Sequence, residues 1–409
     1  MAMKTFKYRI YPTKAEAEKL QWTLDRCREV YNAALQERRD RYDIAVKRNP
    51  RYYDLEWRKQ ATKDYAISLY DQQNQLSPMK KERTEYQELS AAHILNDVCA
   101  RVDKAFKGFF GRIKKGKTPG YPRFQGYNRY DSFCYPDKSG WKLKLGEKKN
   151  GKLILAKIGD IKIKFHRPIE GKAKTCTIKR EGDHWYATFA CEVEIEKLPL
   201  SYKDVGIDLG LEKFAATSDG DFIENPRHYR RTEKRLKKLQ EALSRKKRGS
   251  SRRKKAVKEV ARAHRKVRNQ RKDFHHKESR KLVNTYQVIV FEDLQAANLS
   301  KRPKPKQDET TGQYLPNGAS AKGGLNKSIN DAGWYSFTEI TKAKAEWAGR
   351  TVLFVNPSYT SQVCSGCGTV RKKSLDERWH SCECGCELDR DTNAAINILR
   401  LGTNALARG

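Results

Sequence analysis

LDRDTNAA, residues Leu388–Ala395, joins an acidic turn to the start of a helix and directly follows a cluster of cysteines. The cluster consists of Cys364-x-x-Cys367 and then CECGC (Cys382–Cys386). Two close groups of cysteines at such spacing are typical of structural zinc sites, whose bound ion supplies roughly 10–16 kcal/mol of apparent binding energy that doubles as folding energy. We therefore expect a zinc knuckle that leads into the helix carrying Asp391.

The expected zinc ligands are Cys364, Cys367, Cys382 and Cys384. The Cys382-x-Cys384 spacing is one residue tighter than usual, so Cys386 is an alternative to Cys384, and His380 is a more remote substitute. A site closed by four thiolates is structural, because it leaves no open position for a substrate.

Two carboxylates far upstream are candidate partners of Asp391. Asp208 lies in GIDLG (Gly206–Gly210), and Glu292 directly follows the apolar run VIVF (Val288–Phe291). Mg²⁺ prefers carboxylate and water oxygens, and phosphodiester hydrolysis by two metal ions needs several carboxylates close together. Each acid alone is more commonly a solvated cap, and an acid at a helix start can simply stabilise the helix dipole. As a set, they predict a divalent-metal site.

The charge balance points to a polyanionic partner. The chain has 409 residues with 86 Lys and Arg against 50 Asp and Glu, a formal charge of +36 that repels itself unless it is neutralised. Nucleic acid fits, because each neutralised phosphate releases condensed counterions. A membrane surface is the rival, but no long apolar run or lipidation signal is present. A histone-like packing protein is the other alternative, and it has no need of a carboxylate set.

The remaining cysteines indicate a reducing compartment. They are scattered singly within apolar patterns, as free thiols in a core are: Cys27, Cys99, Cys134, Cys176 and Cys191. We expect a cytoplasmic protein. A nucleus stays an alternative, because the basic run at residues 245–248 resembles an import signal.

The N-terminal half predicts a small β-barrel interrupted by helices. Residues 3–11 alternate as a strand, a capping box at Thr13 and Glu16 opens an amphipathic helix, and a second long helix is expected over residues 88–113. From residue 141 short alternating strands take over, including residues 185–193. The first strand is expected to complete this barrel, which makes the helical part an insertion. The arginines Arg26, Arg28, Arg38 and Arg39 are expected on the outer face of the first helix.

The C-terminal half alternates strands and helices, which predicts an α/β domain. A strand–turn–strand over residues 205–217 is followed by two antiparallel basic helices over 229–282, broken at residues 249–251. The seam between them is expected to comprise Leu236, Leu239, Leu243, Val257, Val260 and Val267. Residues 302–324 are expected to form a mobile loop, and a helix is expected to start at Asp331.

The order of these motifs resembles the TnpB family, insertion-sequence-encoded nucleases related to the compact type V CRISPR effectors. The matching run is GIDLG, a basic helical hairpin, VIVFEDL, DAGW, C-x-x-C and DRDTNAA, with FKYRIYP near the N-terminus and Pro122-Arg123-Phe124 in the middle. The resemblance spans almost the whole chain. It implies an α/β and α+β multidomain protein with a wedge β-barrel, an inserted helical recognition domain and a RuvC-like (RNase H-like) nuclease domain with a zinc-binding insertion.

The implied domain boundaries follow the motifs. They are 1–11 and 118–200 for the wedge barrel, 12–117 for the recognition domain, 201–360 and 388–409 for the RuvC-like domain, and 361–387 for the zinc-binding insertion. The implied activity is that of an Mg²⁺-dependent, RNA-guided DNA endonuclease with one active site formed by Asp208, Glu292 and Asp391 and holding two ions. The implied partners are a guide RNA from the transposon end and double-stranded target DNA, with one protomer per guide.

The resemblance also implies contacts with the duplex beside the target. The residues at these positions are Tyr52, Tyr53, His93, Asn96, Arg101 and Arg123. Two other functions stay open on the sequence. One is an RNA-guided repressor that binds DNA without cutting it. A substitution at one of the three acidic positions would favour this function, but all three acids are present. The other is an unguided RuvC-type junction nuclease, against which the long N-terminal region argues.

Overall fold

The computed structural model describes residues 2–89, 92–127, 129–146, 149–374 and 377–408. The chain divides into two compact units, Met1–Glu194 and Ile195–Gly409. No helix in the part of the chain described combines the length and the apolar character needed to cross a lipid bilayer.

The first unit contains a seven-stranded antiparallel sheet. Its strands are β1 (Ala2–Tyr11), β2 (Ser132–Tyr135), β3 (Trp141–Leu145), β4 (Asn150–Leu155), β5 (Gly159–Lys164), β6 (Lys172–Glu181) and β7 (His184–Val193), in the order β2-β6-β7-β1-β5-β4-β3. β1 pairs with both β5 and β7, so the prediction that the first strand completes this sheet is confirmed. Strict alternation of half-buried and buried residues along β7 is also as predicted.

This sheet is curled. The ring of Trp141 on β3 lies 5.3 Å, centroid to centroid, from that of Phe189 on β7, although three strands separate β3 and β7 in the sheet. The curl encloses an apolar core around Phe6, Tyr8 and Ile10. Among the described residues the two end strands, β2 and β3, are not paired with each other, so the small barrel predicted is in the structure a curled half-barrel.

Five α-helices lie between β1 and β2 in the part of this segment that the structure describes, as the predicted insertion. They are α1 (Lys14–Tyr42), α2 (Leu55–Asp64), α3 (Leu69–Asn74), α4 (Leu76–Glu82) and α5 (Ala92–Lys114). The capping box at Thr13 and Glu16 is present. The outer-face prediction is wrong for Arg38, whose side chain is only 9% exposed because its guanidinium pairs with Gln72 (2.9 Å) and Asp103 (3.4 Å).

The second unit is built on a five-stranded mixed sheet. Its strands are β8 (Asp204–Leu209), β9 (Lys213–Thr217), β10 (Phe222–Glu224), β11 (Val288–Glu292) and β14 (Thr351–Val355), in the order β10-β9-β8-β11-β14. β8, β11 and β14 are parallel, whereas β9 pairs antiparallel with β8 and β10 pairs antiparallel with β9. Every residue of β11 is buried, as expected for a central parallel strand covered on both faces.

The basic hairpin consists of α6 (His228–Ser244) and α7 (Ser251–Thr285), with the break where the sequence predicted it. Ser250 caps α7 by accepting the Arg253 N–H (3.1 Å). The predicted seam is correct at Leu236 and Val267, which are buried, but wrong at Val257, which is 48% exposed. Ala256 is buried in its place, because one residue along a helix turns the side chain by about 100°.

The segment after β11 is more ordered than predicted. It contains α8 (Ala296–Leu299), the short strands β12 (Lys306–Gln307) and β13 (Tyr314–Leu315), and α9 (Ala319–Ala332), so the predicted loop ends at residue 318. Asp331 stands near the end of α9 and does not start a helix. The next helix, α10 (Trp334–Ala348), begins after Gly333, whose φ of +66° ends α9.

The C-terminal helix α11 (Arg390–Arg408) packs on β8 and β11 and follows two short strands, β15 (Trp379–Ser381) and β16 (Glu387–Asp389). Glycines permit this close packing. A Cβ on Gly206 of β8 would lie 2.0 Å from the Ala395 carbonyl oxygen, and one on Gly402 would lie 2.5 Å from a Val290 methyl group. Gly206 of GIDLG and Ala395 of DTNAA are thus complementary parts of one helix–strand contact.

Candidate functional site

Asp208 and Glu292 stand level at one edge of the second sheet. Phe291 pairs with Ile207 across the parallel strands β11 and β8, so the next residue of each strand is Glu292 and Asp208. The carboxyl ends of parallel strands share one edge of a sheet. The two acids that the sequence separates by more than eighty positions are therefore neighbours.

Asp391 joins them from the first turn of α11. The two acids of the DRD turn have different tasks, because the carboxylate of Asp389 accepts the backbone N–H groups of Asp391 (2.9 Å) and Thr392 (3.2 Å). Asp389 is thus the helix cap. The side chain of Asp391 is left to face Asp208, near enough for its negative charge to act on that carboxyl.

The electrostatics of this group are unfavourable without a cation. Burial, followed by the negative charges of Glu292 and Asp391, raises the pKa of Asp208 well above its ordinary value, and Arg390 opposes the shift. Burial also raises the pKa of Glu292, which is 8% exposed, and a hydrogen bond from Thr360 lowers this pKa in part. Buried like charges of this kind favour protonation, or binding of a cation that neutralises them.

The carboxylates are spaced more widely than the thiols. Among the described residues, groups of three or more potential metal ligands whose donor atoms all lie within 4.8 Å of one another occur around the cysteines. Asp208, Glu292 and Asp391 do not form such a group. At least one pair among Asp208, Glu292 and Asp391 therefore has its carboxylate oxygens more than 4.8 Å apart.

Arg390 and Thr360 also belong to this site, although the sequence alone indicated a role for neither. The guanidinium of Arg390 donates to Asp391 Oδ1 (3.2 Å) and to the Glu377 carbonyl (3.0 Å). The hydroxyl of Thr360 donates to Glu292 Oε1. Arg390 lies inside the quoted DRD motif and was therefore within reach of sequence reasoning, whereas nothing in the pattern around Thr360 indicated its partner.

Two asparagines of α11 tie the cysteine knuckle to the same helix. The Asn393 amide donates to the Val363 carbonyl (2.8 Å) and accepts the Ser365 N–H (2.9 Å). The Asn397 amide donates to the carbonyls of Thr360 (2.9 Å) and Val363 (2.7 Å). Both amides are buried, and their i, i+4 spacing puts them on one helix face. This clamp holds the chain on both sides of Cys364.

The cysteines assemble as predicted. The sulfurs of Cys364, Cys367, Cys382 and Cys384 all lie within 4.8 Å of one another, with Cys364–Cys384 and Cys367–Cys382 each at 3.6 Å. The hydroxyl and backbone N–H of Thr369 lower the pKa of Cys367 to about 6, which favours the thiolate that a metal binds. The four thiols form a cluster able to hold a metal ion.

A second group, Cys364, His380 and Cys386, also lies within 4.8 Å. His380 is fully buried, and its Nδ1 contacts the ammonium of Lys373. An ammonium can only donate, so Nδ1 accepts and Nε2 carries the proton, which removes Nε2 as a metal ligand in this tautomer. The chemistry of the donors thus favours the four-thiol set.

The residues predicted to contact DNA all lie in the first unit. Tyr52 and Tyr53 are in a short 3₁₀ helix (Pro50–Tyr53), and Tyr53 is 89% exposed. On α5, His93 pairs with Asp137, and Asn96 is half-buried. The guanidinium of Arg101 bonds Asp97 and the Ser132 carbonyl, both at 2.7 Å, and so fastens α5 to β2. Arg123 is exposed in the segment after α5.

Three family models match this chain. "Probable transposase" matches residues 188–302, "Cas12f1-like, TNB domain" matches 334–398, and "Helix-turn-helix domain" matches 1–44. In the described part of the last region, residues 2–44, the structure has β1 and the 29-residue helix α1, which continues into a π-helix at Asp43.

A protein of Streptomyces pristinaespiralis named "Putative RNA-guided DNA endonuclease" is 33% identical over 99% of this chain and 91% of its own length. This chain belongs to the TnpB family. A second relative, "Putative RNA-guided DNA endonuclease InsQ" of Escherichia coli K12, is 30% identical over 100% of this chain and 94% of its own length.

A solved structure is also similar to this TnpB family member. It is "Structure of the mini-RNA-guided endonuclease CRISPR-Cas_phi3", which superposes with a TM-score of 0.51 over 98% of this chain and 92% of that one. At 11% sequence identity, this is a similarity of fold alone. The cysteine cluster and the DRD turn both fall inside the region that matches the TNB-domain model.

Proposed function

We propose that this chain is an RNA-guided DNA endonuclease that cuts with a single carboxylate site. The observation that carries the proposal is the convergence of Asp208, Glu292 and Asp391 at one sheet edge of a chain with charge +36. Two relatives that align over nearly their whole length bear the name of this activity. A packing protein would neutralise phosphates with its cations, but it would gain nothing from buried, mutually repelling acids.

The three carboxylates would hold Mg²⁺, and their wide spacing fits two ions better than one. Bound Mg²⁺ supplies charge neutralisation and an activated water for phosphodiester hydrolysis. The chain's own residues keep the ligands in place: Thr360 orients Glu292, Asp389 fixes the start of α11, and Arg390 restrains Asp391. Preorganisation of this kind lowers the cost of assembling the site when the substrate arrives.

The proposed domains follow the motif boundaries. Residues 1–11 and 118–200 form the wedge, 12–117 the recognition domain, and 201–360 with 388–409 the RuvC-like domain. Residues 361–387 form the insertion, in which Cys364, Cys367, Cys382 and Cys384 hold one structural Zn²⁺. The protein acts in a prokaryotic cytoplasm, where guide RNA and nucleoid DNA meet.

The proposed partners are a guide RNA and a DNA duplex, with one protomer per guide. Base pairing reads the target, while the protein grips the heteroduplex by its backbone and shape. In the first unit, Tyr52, Tyr53, His93, Asn96, Arg101 and Arg123 are the proposed contacts beside the target. Arg101 acts there by positioning α5, since its guanidinium is engaged within the protein.

The test starts with the RNA that copurifies with the protein expressed from its native locus. Sequencing is expected to give one discrete RNA with a constant scaffold and a variable end. Protein loaded with that RNA is then expected to cut matched DNA with Mg²⁺ and to bind it without cutting in EDTA. Asp208→Ala is expected to bind and not cut.

Each alternative function predicts a different result. A smear of host RNA would overturn the guided activity. Binding without cleavage at any metal concentration would favour a repressor, and cleavage of branched DNA without RNA would favour an unguided nuclease.

A further inference from the structure

A basic cavity of about 450 Å³ lies between α7, α8 and the start of α10. Arg268, Arg271 and Lys272 line it from one face of α7, at spacings of three and four residues. Small side chains of α8 and of the residue that follows it, including Ala296 and Ser300, form part of the wall. Tyr335, 70% exposed, lies at the start of α10. Positive charge and an accessible aromatic ring thus share one concave site.

The cavity lies at the sheet edge that carries the acids. β11 ends at Glu292, and α8, which lines the cavity, begins four residues later. Trp334, another lining residue, donates its indole N–H to the Gly210 carbonyl (3.3 Å), two residues beyond Asp208. Because β14 runs parallel to β11, α10 must start at the carboxyl edge in order to lead into β14.

The wall chemistry suits an unpaired nucleotide. Arg and Lys side chains pair with phosphate, and an exposed aromatic ring stacks on a base of any sequence. The volume is that of a pocket for one small organic molecule, so a nucleotide fits and a paired duplex does not. A base in a duplex is also covered by its neighbours in the stack and could not reach Tyr335.

A buried histidine supports this wall from inside the protein. His275 is 1% exposed and donates its Nε2–H to the Ala332 carbonyl (2.8 Å). Its Nδ1 is buried as well. His275 therefore fastens α7 to the end of α9, and the contacts with a ligand are left to the exposed side chains of Lys272 and Tyr335.

We propose that this cavity holds one unpaired nucleotide of the DNA strand that the carboxylate site cuts, with its phosphate on Lys272 and its base on Tyr335. The inference rests on the proposed function, since it assigns a substrate contact to the same site. DNA is favoured over the guide because the cavity lies at the sheet edge that carries the cutting residues, where the strand must be single and extended.

The variants for the test are Tyr335→Ala and Lys272→Ala, each compared with a conservative change, Tyr335→Phe and Lys272→Arg. Arg271 is left intact because it donates to the Asn330 carbonyl and so supports the fold. The matched control is Lys277→Ala, an exposed lysine of α7 that lies outside the cavity and pairs with Asp273.

Single-turnover cleavage of matched DNA by guide-loaded protein is the first readout. Each alanine variant is expected to cut roughly tenfold more slowly, as the loss of one stacking or phosphate contact implies. Guide RNA content and target binding in EDTA are expected to stay unchanged. Tyr335→Phe and Lys272→Arg are expected to restore most of the rate, and Lys277→Ala to match the unaltered protein.

Photocrosslinking is the second readout and does not depend on catalysis. Asp208→Ala protein is mixed with single-stranded DNA carrying a photoreactive pyrimidine, and Tyr335 is expected to carry the crosslink. Unchanged cleavage by both alanine variants, with no crosslink, would overturn the proposal. Loss of guide RNA from the variants would overturn it too, and would assign the cavity to the guide. Failure of the unaltered protein to cut would overturn the proposed function instead, while a crosslink would still locate the strand.

Discussion

The hydroxyl of Thr360 donates a hydrogen bond to the buried carboxylate of Glu292, and this contact connects the segment that leads to the cysteine knuckle with the acid edge of the sheet. This hydrogen bond lowers the pKa of Glu292, whereas burial raises it. Thr360→Val is therefore expected to raise the pKa of Glu292 further and to move the acid limb of cleavage to higher pH. A pH–rate profile checks this, and Thr360→Ser is expected to retain the original profile.

Asp208 should make the metal-free protein less stable as the pH rises. The pKa of Asp208 in the folded protein lies above that of an exposed Asp, which is about 3.9. The stabilisation that the protonated carboxyl contributes is therefore fully present below about pH 3.9. It is lost as the pH rises through the higher pKa of the folded protein. Asp208→Asn is expected to raise the melting temperature at pH 7 in EDTA and to have little effect near pH 3.5. An equal effect at both pH values would contradict the assigned cause.

Gly206→Ala should disturb the packing of α11 on β8, because the added Cβ would lie 2.0 Å from the Ala395 carbonyl oxygen. We expect a loss of about 1–3 kcal/mol in unfolding free energy, the usual range for overpacking, together with slower cleavage. Gly111→Ala is the control. Its Cβ would meet nothing within 4 Å on α5, and it is expected to be neutral or stabilising by up to about 1 kcal/mol.

Removing one asparagine of the clamp should loosen the knuckle locally. Asn393→Ala leaves the buried Ser365 N–H without its partner, at a cost of about 1–3 kcal/mol. It also removes one of the two amide donors to the Val363 carbonyl, which keeps its bond from Asn397. Amide exchange over residues 360–365 is expected to accelerate. Asn404→Ala, at an exposed position of the same helix, should leave exchange there unchanged. Equal protection in both variants would mean that the clamp does not hold the knuckle.

The zinc content of cysteine variants should show which of the five clustered cysteines bind the ion. Purified protein is expected to contain one zinc per chain, Cys364→Ser to lose it, and Cys386→Ser to keep it, because the four-thiol set excludes Cys386. Metal analysis checks the content, and a cobalt-substituted sample checks for four thiolate ligands through its absorption spectrum. Zinc loss from Cys386→Ser would instead favour the group of Cys364, His380 and Cys386.

Local patterns in the sequence determined much of this protein. Periodicity and turn residues gave β1, α1, β7, β11 and the break between α6 and α7, because alternation, capping and glycine act over a few residues. The cysteine spacing gave the four thiols that assemble. The acids Asp208, Glu292 and Asp391 stood out through their motifs, and the family resemblance named them as a set.

Only the tertiary structure decided which distant groups meet. The register of β11 on β8 sets Glu292 beside Asp208, the missing Cβ of Gly206 admits α11, and the cap made by Asp389 leaves Asp391 free to face them. Likewise, Arg38 is buried by Gln72 and Asp103, which lie 34 and 65 residues away, and Thr360 reaches Glu292 across 68. A local pattern carries no record of such partners, because packing and hydrogen bonding depend on distance in space and not along the chain.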